Sequence, residues 1–111
     1  TTDFIVRTDG AIMHALAVIY VLRAVSGVGE FKIVQHGLGD IEVQVVRDAR
    51  WEDGARLAIE AGLRERLGAD SRIDVRLVGE IPPESSGKHR YVISHVSLEG
   101  GLKLASHRPT N

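Results

Sequence analysis

The sequence contains no cysteine, which excludes disulfides, thiolate zinc sites and a cysteine nucleophile together. It has no excess of basic charge either. Fourteen Lys and Arg stand against fifteen Asp and Glu, for a formal net charge of −1, whereas a polyanion binder ordinarily carries a basic surplus. Aromatic residues are only 5% of the chain. A nucleic-acid-binding sheet needs exposed aromatics on adjacent strands, and Phe31 and Tyr91 are the candidates for that role. No apolar run can cross a bilayer: the longest, from Ala15 to Leu22, falls far short of the roughly 20 residues required. A basic start followed by an apolar stretch and a cleavage site is also missing, so secretion is not signalled and a cytoplasmic location is expected. Thr1 rather than Met opens the chain, which points to excision from a longer polypeptide.

What is present fits one globular domain. At 111 residues, 43% hydrophobic and 26% charged, the chain can bury a single core but not two. Phe4 to Arg7 reads as a short strand. Thr8, Asp9 and Gly10 form a turn, and Ala11 to His14 pairs back as a second arm. Ala15 to Ala24 is apolar almost all round, dominated by Leu16, Ile19, Val21 and Leu22, and stops at Ser26-Gly27; this predicts a buried helix. Phe31 to Gln35 and Ile41 to Val46 flank the Gly-rich connection His36-Gly37-Leu38-Gly39-Asp40. In the second of these strands Ile41, Val43 and Val45 face one way, Glu42 and Gln44 the other, as in a sheet with one wet face.

Trp51 to Leu67 has the clearest helical pattern. Ala55, Ala58, Ile59, Gly62, Leu63 and Leu67 recur at helical spacing, Arg56, Glu60 and Arg64 form an i,i+4 ladder outside, and Gly68 ends the run. Arg72 to Val78 alternates, with Ile73, Val75 and Leu77 inward. Pro82 and Pro83 then exclude helix or central strand, Tyr91 to Val96 closes the sheet, and residues 97–111 read as a flexible tail. The predicted fold is α+β: a small mixed sheet with two helices on one face plus an N-terminal hairpin, of ferredoxin-like character. The whole of 1–111 is one domain.

The segment from Ile81 to Arg90 carries the chemistry. Ser85-Ser86-Gly87 places small residues directly before Lys88, which lets backbone and ammonium approach an anion closely. It is not a Walker A loop, because Pro82 stands where the first Gly is needed. About eighty residues upstream lies Thr2-Asp3-Phe4-Ile5, followed by Arg7, Gly10 and Ile12. This pairing resembles the C-terminal domain of the adenylate-forming superfamily of acyl- and aryl-CoA ligases. The front end resembles that family's Gly-Arg-x-Asp-Asp-x-Ile hinge without its first two residues. The back end resembles its Pro-x-x-x-Ser-Gly-Lys-x-x-Arg signature, with Arg90 one residue nearer to Lys88. Ser86-Gly87-Lys88-His89-Arg90-Tyr91-Val92-Ile93-Ser94 is most similar to phenylacetate–CoA ligases and the capsular-polysaccharide adenylating proteins. The likeness runs over roughly residues 1 to 96. It departs at Thr2, where the hinge usually has Asp or Lys, at His14-Ala15-Leu16-Ala17, where acidic residues are common, and at Pro83 and Glu84.

The resemblance implies a two-step ligase: a carboxylic acid attacks the α-phosphate of ATP to give an acyl-adenylate and pyrophosphate, and the acyl group then passes to a thiol, usually coenzyme A. It implies that ATP/AMP, Mg2+ and the acid sit mainly on an N-terminal adenylating domain outside this chain. That domain is then the principal partner, and the chain is inactive alone. Lys88 matches the lysine that the family's small domain delivers to the junction of carboxylate and α-phosphate. Thr2 and Asp3 match the hinge, Gly10 lies on the hairpin presented for the thioester step, and Ser86, Gly87 and Arg90 are placed for a phosphate or coenzyme A contact. A face built to meet a larger domain also implies weak self-association of the isolated chain.

The remaining residues give weaker signals. His14, His36, His89, His95 and His107 show no i,i+4 pair and no metal-ligand spacing, so no metal site is expected. Asp9 and Asp40 belong to turns and Glu60 to the helical ladder. Trp51 fits a docking role at the start of its helix, and Ser85 and Ser86 have no adjacent base. Two other classes stay open at this point, a free-standing ferredoxin-like module that binds a small ligand and a nucleic-acid-binding sheet.

Overall fold

The computed structural model describes residues 4–83 and 91–97. They form an α+β fold in the order β1 (Phe4–Val6), β2 (Ile12–His14), α1 (Leu16–Arg23), β3 (Val28–Gly37), β4 (Asp40–Arg47), α2 (Gly54–Leu67), β5 (Arg72–Leu77) and β6 (Val92–Ser94). β1 and β2 make a separate two-stranded antiparallel ribbon, and the other strands make one mixed sheet in the order β5-β4-β3-β6. β3 and β4 are antiparallel, while β4–β5 and β3–β6 are parallel. The last two strands therefore need long connections, which α2 supplies between β4 and β5.

Alternation decides which face of the sheet is covered. Phe31 and Ile33 on β3, Ile41, Val43 and Val45 on β4, Ile73 and Val75 on β5 and Val92 on β6 join one buried cluster. Val18, Ile19, Val21 and Leu22 of α1 and Ile59, Leu63 and Leu67 of α2 complete it. Both helices thus lie over the same face. In α2, Ala55, Ile59, Leu63 and Leu67 are buried at four-residue intervals, one stripe of an amphipathic helix.

Several local expectations need correction. α1 is buried on one side only: Leu16 is 41% and Tyr20 58% exposed. β3 is longer than Phe31–Gln35, because Val28 and Glu30 also pair with β4 across a register shift. The β3–β4 turn is correspondingly tight, with only Leu38 and Gly39 between the strands. α2 begins at Gly54 rather than Trp51. Trp51 packs against the core from the preceding loop, its N–H donating to the Asp48 carbonyl at 3.1 Å. Its backbone lies so close to Gly27 that a Cβ there would collide with it. Leu77 ends β5 on the outer edge and is exposed. The charged ladder of α2 also turns inward in part. Arg56 donates to the Val75 carbonyl and Arg64 to the Ser71 carbonyl at 3.0 Å, so arginines occupy carbonyls along the edge strand β5 and the loop before it.

No helix among the described residues is long and apolar enough to cross a membrane.

Candidate functional site

Of the site residues expected from the family resemblance, Gly10 lies in the described structure. Thr2, Asp3, Ser86, Gly87, Lys88 and Arg90, and most of the tail 97–111, lie outside the described residues. The site is therefore built from the N-terminal hairpin and from the strands that flank the Lys88 segment in sequence.

The hairpin turn is closed by short backbone bonds. The Arg7 N–H donates to the Ala11 carbonyl at 2.8 Å, and the Gly10 N–H to the Arg7 carbonyl at 2.9 Å. Gly10 has φ +90°, a region that side chains disfavour, and it is buried while Asp9 and Ala11 beside it are exposed. Positive φ accounts for the glycine without a ligand. Asp9 fixes the turn from outside: its Oδ1 accepts the Ala11 N–H at 3.0 Å, and its Oδ2 pairs with Arg7 Nε at 3.4 Å. The Ala11 N–H first, and then Arg7, hold the Asp9 carboxyl below its ordinary range.

Three-residue strands form a weak ribbon by themselves, and this one is fastened at two places. On the helical side, the Thr8 N–H donates to the Leu67 carbonyl at 2.8 Å and Arg7 Nη1 donates to the Arg66 carbonyl. These carbonyls belong to the last turn of α2, which has no intrahelical donors left for them. On the sheet side, the fully buried side chain of Gln35 holds Val6. Its Oε1 accepts the Val6 N–H at 3.0 Å, and its Nε2 donates to the Val6 carbonyl at 2.7 Å. Ser94 Oγ of β6 also donates to Gln35 Oε1, at 2.7 Å.

β6 follows the Lys88 segment directly, and its start is anchored by aromatic contacts. The rings of Tyr91 and Phe31 lie 5.1 Å apart in a tilted arrangement. The Arg23 guanidinium at the end of α1 sits 5.6 Å over the Tyr91 ring, within cation–π range. A second cluster lies on the open face. His36 and His95 stack at 6.0 Å, and His36 Nε2 meets Glu42 Oε1 at 2.8 Å. Hydrogen bonds from His36 and then Gln44 hold the Glu42 carboxyl below its usual range.

Sequence reasoning missed Gln35 and Arg23. The signal for Gln35 was available: it continues the inward positions Phe31 and Ile33 as a polar residue where an apolar one was due. Arg23 had no sequence signal, since its contact with Tyr91 is long-range.

With this geometry in place, the sequence profile of the CapK C-terminal domain family matches residues 5–95. The chain belongs to that family. The matched span takes in the Gly10 turn, both hairpin fastenings and Ser86 to Arg90, while Thr2 and Asp3 precede it. Being a CapK C-terminal domain implies a partner domain on its N-terminal side in the full protein. No curated protein and no solved structure matches the chain. Among the described residues of this CapK C-terminal domain, no group of three or more His, Asp or Glu side chains could hold a metal ion.

Proposed function

We propose that this CapK C-terminal domain is the lysine-bearing lid of an ATP-dependent adenylate-forming ligase similar to phenylacetate–CoA ligases. In the first step a carboxylate oxygen attacks the α-phosphorus of ATP, the bond to pyrophosphate breaks, and an acyl-adenylate forms. In the second, a thiol such as coenzyme A attacks the acyl carbon, AMP leaves, and the thiol proton passes to solvent. In this reading the nucleotide, its Mg2+ and the acid are held mainly by the N-terminal partner domain. A cytoplasmic location belongs to the same reading.

The part played by this chain is electrostatic and mechanical. The Lys88 ammonium would meet negative charge developing on the phosphoryl oxygens, where a preorganised cation in a water-poor cleft is worth far more than in bulk water. Thr2 and Asp3 would form the hinge on which the domain swings. Ser86, Gly87 and Arg90 would contact phosphate, and the hairpin with Gly10 would face the thiol in the second step. The observation carrying this reading is the family match over residues 5–95, which spans both the hairpin and the Ser-Gly-Lys segment. A family of C-terminal domains also weighs against a free-standing ligand-binding module.

The test is Lys88→Ala in the full-length protein. Carboxylate-dependent exchange of pyrophosphate into ATP should fall by roughly two to three orders of magnitude, as for other removed electrostatic stabilisers. Thioester formation from supplied acyl-adenylate should be largely kept. Equal losses in both half-reactions, or none, would defeat the assignment.

A further inference from the structure

The hairpin is not part of the four-stranded ladder, yet the reading above, on which this inference rests, gives it the task of meeting the thiol. Its position comes from its fastenings together with Ile5, which is buried in the core cluster with Met13 packed against it, because two paired three-residue strands cannot set it alone. From the sheet, one side chain provides the hydrogen bonds. The Gln35 amide takes the N–H and caps the carbonyl of the same residue, Val6, as a partner strand does in a hydrogen-bonded antiparallel pair. It is fully buried, so water does not compete for either bond.

The same Oε1 accepts from Ser94 on β6, and β6 pairs with β3 through Val92, Ile93 and Ser94. Gln35 therefore joins the strand that enters the domain to the strand that returns from the Lys88 segment. At the far end of β1, Arg7 and Thr8 rest on the last carbonyls of α2. The hairpin is held from both sides of a rigid core rather than hinged on it.

We infer that Gln35 is a positioning residue for the thiol-transfer step: its clamp on Val6 fixes the β1–β2 hairpin so that the turn Thr8–Ala11 moves with the sheet as one body. It touches no reactant. Loss of the clamp leaves Ile5 and Val6 buried but lets the turn shift, and a displacement of about 1 Å from outside a reaction centre can cost up to a hundredfold in rate. The adenylation step, which uses Lys88, is spared in this reading, because β6 keeps its backbone pairing with β3 through Val92, Ile93 and Ser94 when the side-chain clamp is lost.

The experiment uses the full-length protein carrying Gln35→Met, which keeps the volume and removes the hydrogen bonds. Arg7→Met serves as a second variant that loosens the opposite fastening from the surface. Phenylacetate, ATP and coenzyme A are the probes, with pyrophosphate exchange reporting the first half-reaction and thioester formation from phenylacetyl-adenylate the second. Hydrogen exchange of the Val6, Gly10 and Ala11 amides is followed in parallel. Expected for Gln35→Met are exchange at these amides faster by about a hundredfold, thioester formation down by about tenfold or more, and pyrophosphate exchange within about threefold of the parent. Arg7→Met should shift the same ratio in the same direction. Equal losses in both half-reactions, or an unchanged ratio in both variants, overturn the inference; so does unchanged hairpin exchange, even if the probes are not turned over. Lys88→Ala in the same assays separates the two claims. If it spares pyrophosphate exchange, the ligase reading fails, whereas a selective loss there beside an unchanged Gln35→Met ratio defeats only the role of Gln35.

Discussion

Gln35 and Val6 are paired as two strands would be, although one contributes a side chain and the other its backbone. The amide accepts from the Val6 N–H at 3.0 Å and donates to the Val6 carbonyl at 2.7 Å. Neither Val6 group has water as an alternative partner, since Val6 is 1% and Gln35 0% exposed. Gln35→Met should therefore leave two backbone groups unsatisfied and cost about 3 kcal/mol, at 1–3 kcal/mol for each buried group stranded. Ser94→Ala removes one donor to Oε1, whose bond to Val6 remains, and the acceptor of the half-buried Val96 N–H at 3.2 Å, and should cost about 1 kcal/mol. Urea denaturation of both variants reads the difference. A Gln35→Met loss no larger than that of Ser94→Ala would show that the clamp contributes little.

Gly68 ends α2 with φ +130° and ψ +138°, a conformation essentially reserved for glycine. A Cβ there would also run into Thr8 Oγ1, on the residue whose N–H is bonded to Leu67. Gly68→Ala should cost about 3 kcal/mol, combining backbone strain with the collision. Thr8→Ala removes the hydroxyl but not the strain, so in that background the Gly68→Ala penalty should fall by about 1 kcal/mol. A double-mutant cycle from chemical denaturation measures this. Strict additivity would mean that Thr8 yields freely and that the conformation alone selects glycine.

What could be read from the sequence were the features that repeat. The four-residue spacing of Ala55, Ile59, Leu63 and Leu67 and the stop at Gly68 specify α2, and the alternation of Ile41, Val43 and Val45 specifies β4 and its buried face. The features that escaped depend on contacts distant in sequence. Val28-Gly29-Glu30 lacks an alternating pattern, yet it extends β3 because Gly29 fits beneath the Val46 carbonyl, 2.9 Å from where a Cβ would stand. Periodicity places Arg56 and Arg64 on the solvent side of α2, but their long side chains reach carbonyls of β5 and the turn before it. The site divides in the same way. Lys88 is conspicuous as a motif because Ser-Gly-Lys is local, while Gln35 becomes meaningful only once β1 is laid beside it.

Gly62 lies where the two helices touch, and opposing effects decide the sign of its replacement. In an open helix interior Gly→Ala stabilises by about 1 kcal/mol. Here the new Cβ would sit 2.6 Å from Val21 Cγ1, and the β-branched Val21 has little rotamer freedom in α1 with which to move away. Overpacking of this kind costs about 1–3 kcal/mol, so Gly62→Ala should destabilise by about 1 kcal/mol net. With Val21→Ala already in place the contact is gone, and the same change should stabilise by about 0.5–1 kcal/mol. Thermal denaturation of the four proteins reads this reversal. A stabilising Gly62→Ala in the parent would show that the helices separate at little cost.

Glu42 gives the open face of the sheet a pH dependence of known direction. His36 Nε2 lies 2.8 Å from its Oε1 and Gln44 Nε2 donates to its Oε2 at 3.0 Å, and these bonds, His36 first, depress its folded-state pKa. A depressed carboxylate contributes stability that is fully present above its unfolded pKa, about 4.3 for Glu, and that is lost as pH falls through the lower folded value. Because the pair is partly exposed, the contribution should be about 0.5 kcal/mol. The stability difference between the parent and Glu42→Gln should then shrink by about that amount between about pH 6 and about pH 3.5. His36→Ala should abolish most of the same shrinkage, since its hydrogen bond is the largest cause. Urea titrations at the two pH values on all three proteins decide it, and a difference that stays constant, or grows on acidification, would mean that His36 does not hold the carboxylate.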